Sequence, residues 1–305
     1  MSLQAVNQSS LGPKSALAAG IALMLLGDFV YSLSDALGKW LVATYSVGQL
    51  LLIRSSAALV VLAPFAWRAG RRAFATMPRP RLQILRVLLC SLEVVFFFWA
   101  VSYLPLADVT TFYLAGPIFV TALSPFLLGE KIDWKRWAAV LAGFVGVAVA
   151  MRPSLASVSS SALVALAGSL CFALLMMVTR AVRGTPDIVL ATTQMISTGL
   201  FGAALAPFGW VAPSARDTAL LALVGIVAML GLVCVNRSLK LAPTSVVAPY
   251  QYSFILWAVI LGYLVFGDVP TVPLLIGAAI IVAAGLFLFW RERAAIGDES
   301  LPPVG

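Results

Sequence analysis

The sequence predicts an all-α membrane protein of ten transmembrane helices, built as two inverted five-helix repeats. Three observations lead there. Of its 305 residues, 62% are hydrophobic and 10% charged, with a mean hydropathy of +1.03, whereas soluble domains carry about 25% charged residues. The apolar runs, read against the roughly 20 residues that a bilayer core asks of a helix, divide most naturally into ten. The stretch 104–131 also returns 138 positions later, with Pro105 over Pro243, Gly129 over Gly267 and Glu130 over Asp268.

In order, the spans fall near 16–41, 47–67, 82–103, 107–128 and 134–151, then 159–179, 187–208, 217–236, 243–266 and 271–290. The repeats are then 16–151 and 157–290, with tails at 1–15 and 291–305. Span one carries Asp28, Tyr31 and Asp35 at i, i+3 and i+7 and Lys39 at i+11, offsets that share one helix face. Such a stripe on an apolar helix is expected to line a central cavity; the plainer reading is a packing network with Asp35 and Lys39 paired. Span two holds Arg54 and ends at Ala63-Pro64, with Trp67 at the interface. Span three has Glu93 near its middle, beside Phe96, Phe97, Phe98 and Trp99. Span four contains Tyr113 and is interrupted by Pro117 and Pro125, which remove backbone donors and bend helices. Span five combines Gly143 and Gly146 with Ala139, Ala142 and Ala150, small residues that admit close helix contact; by symmetry, spans five and ten form a scaffold or dimer surface. In the second half, Arg180 follows span six as Lys39 follows span one. Span seven ends at Ala206-Pro207 as span two does, with Ser197 where an arginine like Arg54 would stand. Span nine, the copy of span four, carries Pro249, Tyr250, Gln251, Tyr252 and Trp257, and span ten ends on Trp290.

An even number of spans puts both termini on one side, and basic residues choose the side because Lys and Arg are enriched in short cytoplasmic loops. Sixteen lie on the side of the termini: Lys14, Arg68, Arg71, Arg72, Arg79, Arg81, Arg86, Lys131, Lys135, Arg136, Arg180, Arg183, Arg237, Lys240, Arg291 and Arg293. Lys39, Arg152 and Arg216 lie on the other, and Arg54 within a span. Both termini are therefore expected in the cytoplasm. Five spans per half is an odd number, so the two copies enter the membrane in opposite directions. Inverted repeats of this kind mark secondary transporters, whose substrate site lies near the midplane between the halves.

Several chemistries are excluded or disfavoured. The net charge of +8 sits in short loops and not in an aromatic-interleaved patch, so no nucleic-acid partner is expected. There is no histidine, which removes His-based catalysis, relays and zinc sites. Cys90, Cys171 and Cys234 fall inside spans and read as small core residues. No Walker-type glycine loop is present, so the chain does not hydrolyse ATP. No cofactor, metal or enzymatic activity is expected. The partners are a small-molecule substrate and membrane lipid, and the protein is a monomer or homodimer.

The ordered set of Arg54 in LLLIRSSA (50–57), FWAVSYLPLADVT (98–110), PFLLGEK (125–131) and AGFVGVAVAMRP (142–153) resembles the EamA type of the drug/metabolite transporter (DMT) superfamily. The resemblance covers essentially the whole chain, although Gly267-Asp268 departs from the Gly-Glu pattern and Ser197 leaves the arginine in one half. It implies export or exchange of small metabolites in a bacterial inner membrane. The motifs look most like amino-acid exporters of the YddG type and are also similar to S-adenosylmethionine carriers. A passive channel or non-transporting scaffold is the reading from a different class.

The site expectations follow from cost, since an ionisable group within a span is expensive and usually faces water or a partner. The expected cavity lining is Asp28, Tyr31, Asp35, Glu93, Phe97, Tyr113, Tyr250, Gln251 and Trp257. Arg54 and Asp35 lie at similar depth and are expected to pair, with Lys39 near by, as a structural ion pair or gate. Glu93 reads either as a proton-coupling site or as a contact for a substrate ammonium group, and otherwise as a neutral acid held by a neighbouring helix. Tyr113, Tyr250, Gln251, Tyr252 and Trp257 suit stacking on an aromatic or cationic solute. Pro117 and Pro249 are candidate hinges. Spans one, three, four, six, eight and nine would surround the cavity, with two and seven as its flanking walls.

Overall fold

The computed structural model describes residues 13–127, 133–151, 160–182, 184–241 and 248–299, and it is helical throughout. The helices of the first half are α1 (Pro13–Val42), α2 (Val47–Ala75), α3 (Pro80–Val101), α4 (Leu106–Tyr113), α5 (Gly116–Leu127) and α6 (Trp134–Met151). Those of the second are α7 (Ser160–Ala181), α8 (Asp187–Leu205), α9 (Ala215–Leu241), α10 (Ser253–Phe266) and α11 (Val272–Glu299). A 3-10 turn, Ala248–Tyr252, leads into α10. With α4 and α5 taken as one span, seven of the described spans are long and apolar enough to cross a membrane, and α6, α10 and α11 complete the ten.

Local chemistry sets the helix ends. Ser46 caps α2 by accepting from the Gln49 N–H at 3.2 Å, Asp133 caps α6 through the Arg136 N–H, and Ser214 caps α9 through the Asp217 N–H. At the end of α10, Gly267 takes a φ of 70°, which glycine adopts freely. The Asp268 N–H then donates to the Gly262 carbonyl at 3.2 Å, closing the helix and fixing where Asp268 points. Three helices outrun the expected spans, and one of them, α11, runs to Glu299 into the expected tail 291–305. α2 continues to Ala75 through a bend at Gly70 (φ 76°), so Arg68, Arg71 and Arg72 belong to a helix and not to a loop. α9 likewise continues to Leu241, beyond its apolar run.

Span four is two helices because Pro117 has no N–H to give the carbonyl of Tyr113, four residues earlier, and its ring crowds that carbonyl. α4 accordingly stops at Tyr113. Span nine breaks at the equivalent place. Leu114, at φ −65° and ψ −13°, corresponds at the 138-residue offset to Tyr252, at φ −66° and ψ −12°, where the 3-10 turn gives way to α10. Pro125, by contrast, leaves α5 unbroken, and the Ser124 hydroxyl donates to the Thr121 carbonyl that the proline strands.

Helices pack mainly across the halves. α1 lies on α9 and α3 on α7; α2 lies on α8 and α6 on α11. The first two pairings exchange under the pseudo-two-fold, and the last two map onto themselves. Glycines set the closest approaches. Gly48 faces the Leu205 backbone and Gly202 the Leu52 backbone, where α2 crosses α8. Gly146 and Gly277 face each other where α6 meets α11, while Gly143 lies on Ile118. Of the small residues of span five, Gly143, Gly146, Ala139 and Ala150 are thus spent on contacts inside this chain, while Ala142 is exposed.

Candidate functional site

At the centre of the bundle, α1, α2 and α3 bring Tyr31, Asp35, Arg54 and Glu93 within electrostatic range of one another, with Cys90 among them. Arg54 lies about 10 Å in from the start of α2, and Asp35 and Glu93 lie about 10–12 Å in from the ends of α1 and α3, at 1.5 Å per residue. The three helices end together at the α1–α2 loop, hereafter the Tyr45 end. Tyr31, Asp35 and Glu93 are half-buried at this depth. Arg54 is 9% exposed, with its guanidinium 5.1 Å from the centroid of the Phe98 ring. Phe97 packs edge-on against Tyr113 with centroids 5.3 Å apart, and the Tyr113 hydroxyl donates to the Glu93 carbonyl at 3.0 Å. Two carboxyls, one guanidinium and a phenol therefore lie within electrostatic range of one another, beside Phe97 and Phe98.

The expected pairings are corrected. Asp35 is not within 4.0 Å of Arg54, nor does Lys39 pair with Asp35. The ion pair among the described residues joins Lys39 to Asp268 at 2.8 Å, with Lys39 also 4.5 Å from the centroid of the Phe266 ring. The cause lies in packing, because α1 contacts α9, α10 and α2 along its length and its stripe is shared among them. Asp28 is 5% exposed and accepts from the Ser253 hydroxyl at 2.9 Å, so it faces α10 and not the central cluster. Trp257 joins the same α1–α10 seam, edge-on to Phe29 at 4.9 Å. Tyr250 and Gln251 are exposed, with Tyr250 at 38%, and stand apart from the cluster. Pro249 falls in the 3-10 turn, and Pro117 is the second residue of α5. Gly129, Glu130 and Pro243 lie outside the described residues.

Contacts at both ends of the bundle cross the halves. At the Tyr45 end, besides Lys39–Asp268, the Tyr45 hydroxyl donates to Asp217 at 2.6 Å. The Gln49 amide donates to the Val211 carbonyl and accepts from its N–H. A cavity of about 450 Å³ opens there among Val42, Tyr45, Val95, Trp99, Ser102 and Phe208. At the other end, hereafter the Arg79 end, Arg79 donates to the Ala181 carbonyl and Gln83 to the Thr185 hydroxyl. Arg86, 3% exposed, donates to the Leu190 carbonyl at 2.6 Å and to the Gln194 amide oxygen at 3.4 Å.

Sequence reasoning missed Phe98 as the support of Arg54, Ser253 as the partner of Asp28, and Arg86. The last had a signal, since the span 82–103 contains it, yet the charge count took it for a loop residue.

The profile of the EamA-like transporter family matches residues 18–152 and 159–290. The S-adenosylmethionine uptake transporter of Rickettsia prowazekii is 26% identical over 92% of this chain and 95% of its own. A riboflavin transporter of Rhizobium johnstonii is 25% identical over 94% and 96%. A pseudopaline exporter of Pseudomonas aeruginosa is 27% identical over 89% and 96%. A solved crystal structure superposes with a TM-score of 0.60 over 92% of this chain and 99% of the other, at 17% identity, a likeness of fold.

Proposed function

The chain belongs to the EamA-like transporter family, and from that premise we propose that its solute is an amino acid or a similar zwitterionic metabolite, moved by alternating access. A multi-pass membrane protein of this family carries small molecules and is not an enzyme. The observation that supports the finer reading is the central cluster. A buried arginine with no carboxylate within 4.0 Å among the described residues is costly unless something else visits it. The α-carboxylate of an amino acid offers bidentate bonds to Arg54. Its ammonium group then meets Glu93 or Asp35, both of which keep accessible surface. Phe97 and Tyr113 supply the apolar wall.

A specific feature favours a second substrate within this class. Two carboxyls against one guanidinium leave one acid over, which suits a solute with an additional positive charge, such as the sulfonium of S-adenosylmethionine. That is the cargo named for the Rickettsia relative. The Arg79 end is the cytoplasmic one in this reading, by the excess of basic residues there, which places both termini inside a bacterial inner membrane. Outward movement follows the resemblance of the first-half motifs. Because the relatives include an uptake carrier and an exporter, direction is for experiment to read. The repeats over 16–151 and 157–290 are the bodies that rock.

Counterflow tests the proposal. Proteoliposomes are preloaded with tryptophan, phenylalanine, threonine, methionine, S-adenosylmethionine or riboflavin, and entry of the labelled solute is followed. Trans-accelerated entry of an amino acid or of S-adenosylmethionine is expected, with a loss of at least tenfold in Glu93→Gln. Acceleration by riboflavin alone removes the zwitterion reading. Entry that preloading does not accelerate points to a pore and removes the carrier mechanism.

A further inference from the structure

We propose that Arg86 is a second anion-binding station of the transport path, taking the solute's carboxylate towards the Arg79 end as Arg54 does nearer the Tyr45 end. The inference rests on the zwitterion reading above and assigns a residue outside the central cluster.

Arg86 is a buried cation whose bonding is incomplete. Of five guanidinium N–H donors, the structure employs two, on the Leu190 carbonyl and the Gln194 amide oxygen, and Nε is buried with no partner. Among the described residues no carboxylate lies within ion-pair distance of it. A hydrogen-bonded latch from α3 to the second half requires no charge, and Gln83 supplies one, a turn away, with Thr185 in the connection just before α8. Burying a guanidinium for that purpose alone is costly.

Its position links it to the cluster. Arg86, Cys90, Glu93 and Phe97 stand at i, i+4, i+7 and i+11 on α3, one continuous face. Arg86 is thus roughly 10 Å from Glu93 along the helix, at 1.5 Å per residue. Cys90 bridges them, being within electrostatic range of Arg86, Glu93 and Arg54.

The pseudo-two-fold supplies a second, independent argument. The α2–α9 contact places Gly225 against the Arg54 backbone. At the 138-residue offset Gly225 corresponds to Val87, and at the 143-residue offset that lays Ala63-Pro64 over Ala206-Pro207 Arg54 corresponds to Ser197. The Ser197 hydroxyl donates to the Val87 carbonyl at 3.2 Å, so the corresponding positions meet again between α3 and α8, with side chain and backbone exchanged. The second half lacks an arginine at Ser197, but Arg86, adjacent to Val87, delivers a guanidinium into that interface from the opposite helix. Each of the two related interfaces therefore holds one buried arginine.

Solutes that differ in the carboxylate alone test this. Counterflow KM and kcat are measured for S-adenosylmethionine against its decarboxylated form and for tryptophan against tryptophanamide, in the unchanged protein, Arg86→Gln and Arg86→Lys. The expected result is a KM about tenfold higher in Arg86→Gln for both carboxylates, with the carboxylate-free partners changed less than twofold. Arg86→Lys, which keeps a charge and a donor for Leu190, falls between and carries the test should Arg86→Gln not fold. An equal loss for both members of each pair, or no change in either, overturns the assignment of Arg86 and leaves the carrier reading standing. Failure of the unchanged protein to exchange any of the four removes the zwitterion reading, and Arg86 with it.

Discussion

The ion pair between Lys39 and Asp268 joins α1 to the end of α10, and its removal has a calculable consequence. At 2.8 Å the gross attraction is about 6 kcal/mol for an effective dielectric of about 20, most of it offset by desolvation. The side chains are 13% and 28% exposed, between surface pairs worth about 0.2–1 kcal/mol and buried pairs whose rupture costs about 3–5 kcal/mol. A loss of about 2 kcal/mol is the physical expectation for Lys39→Met or Asp268→Asn, a fall in Tm of about 3 °C at about 2.1 cal/mol/K per residue over the chain. Thermal unfolding of the detergent-solubilised protein reads it through a double-mutant cycle. If the pair acts as a unit, the double variant falls no further than the worse single. Losses that add in the double variant would refute the coupling and reduce the pair to two independent surface charges.

The ten-span architecture was legible because it rests on length and composition, which survive any error about side-chain partners. The break in span four was legible for a local reason, since a proline acts on the carbonyl four residues behind it. In span nine a bend was expected at Pro249, which falls within the 3-10 turn, and the α-helix begins only at Ser253. Among the site residues, Tyr31, Asp35, Arg54 and Glu93 lie within electrostatic range of one another. The partners of Asp28 and Lys39 were not legible, because a helix-face argument says which residues of α1 look the same way and nothing about which neighbour stands at each height. Asp268 reaches Lys39 through the left-handed turn at Gly267, and a glycine followed by an acid in a sequence does not reveal its aim. Arg86 was hidden by bookkeeping of a different kind, as topology counts treat every arginine near a span end as a loop residue.

Three further outcomes follow from the geometry. Gly225→Ala puts a methyl group against the Arg54 backbone and is expected to cost about 1–3 kcal/mol by overpacking, read as a fall in Tm; Gly184→Ala, where a methyl group meets nothing, is expected to leave Tm unchanged. Ser253→Ala leaves the buried Asp28 carboxyl without its donor and is expected to lower stability by about 1–3 kcal/mol, with Asp28→Asn at least partly suppressing the loss in the double variant. The break after Tyr113 is the last. Pro117→Ala restores an N–H opposite the Tyr113 carbonyl and removes the ring that crowds it, so α4 and α5 gain the bond needed to run on as one helix, worth about 1 kcal/mol and a Tm rise of about 1.5 °C. If the break is a hinge of the rocking halves, as we propose, the straightened variant exchanges its solute several-fold more slowly although it is more stable. Pro125→Ala is the control, because α5 already runs unbroken through Pro125 and Ser124 already serves the freed carbonyl, and its exchange rate is expected to stay within twofold. A Pro117→Ala protein that is stabilised yet exchanges at the original rate would make the break a passive bend, and the motion would then have to be sought at the helix crossings.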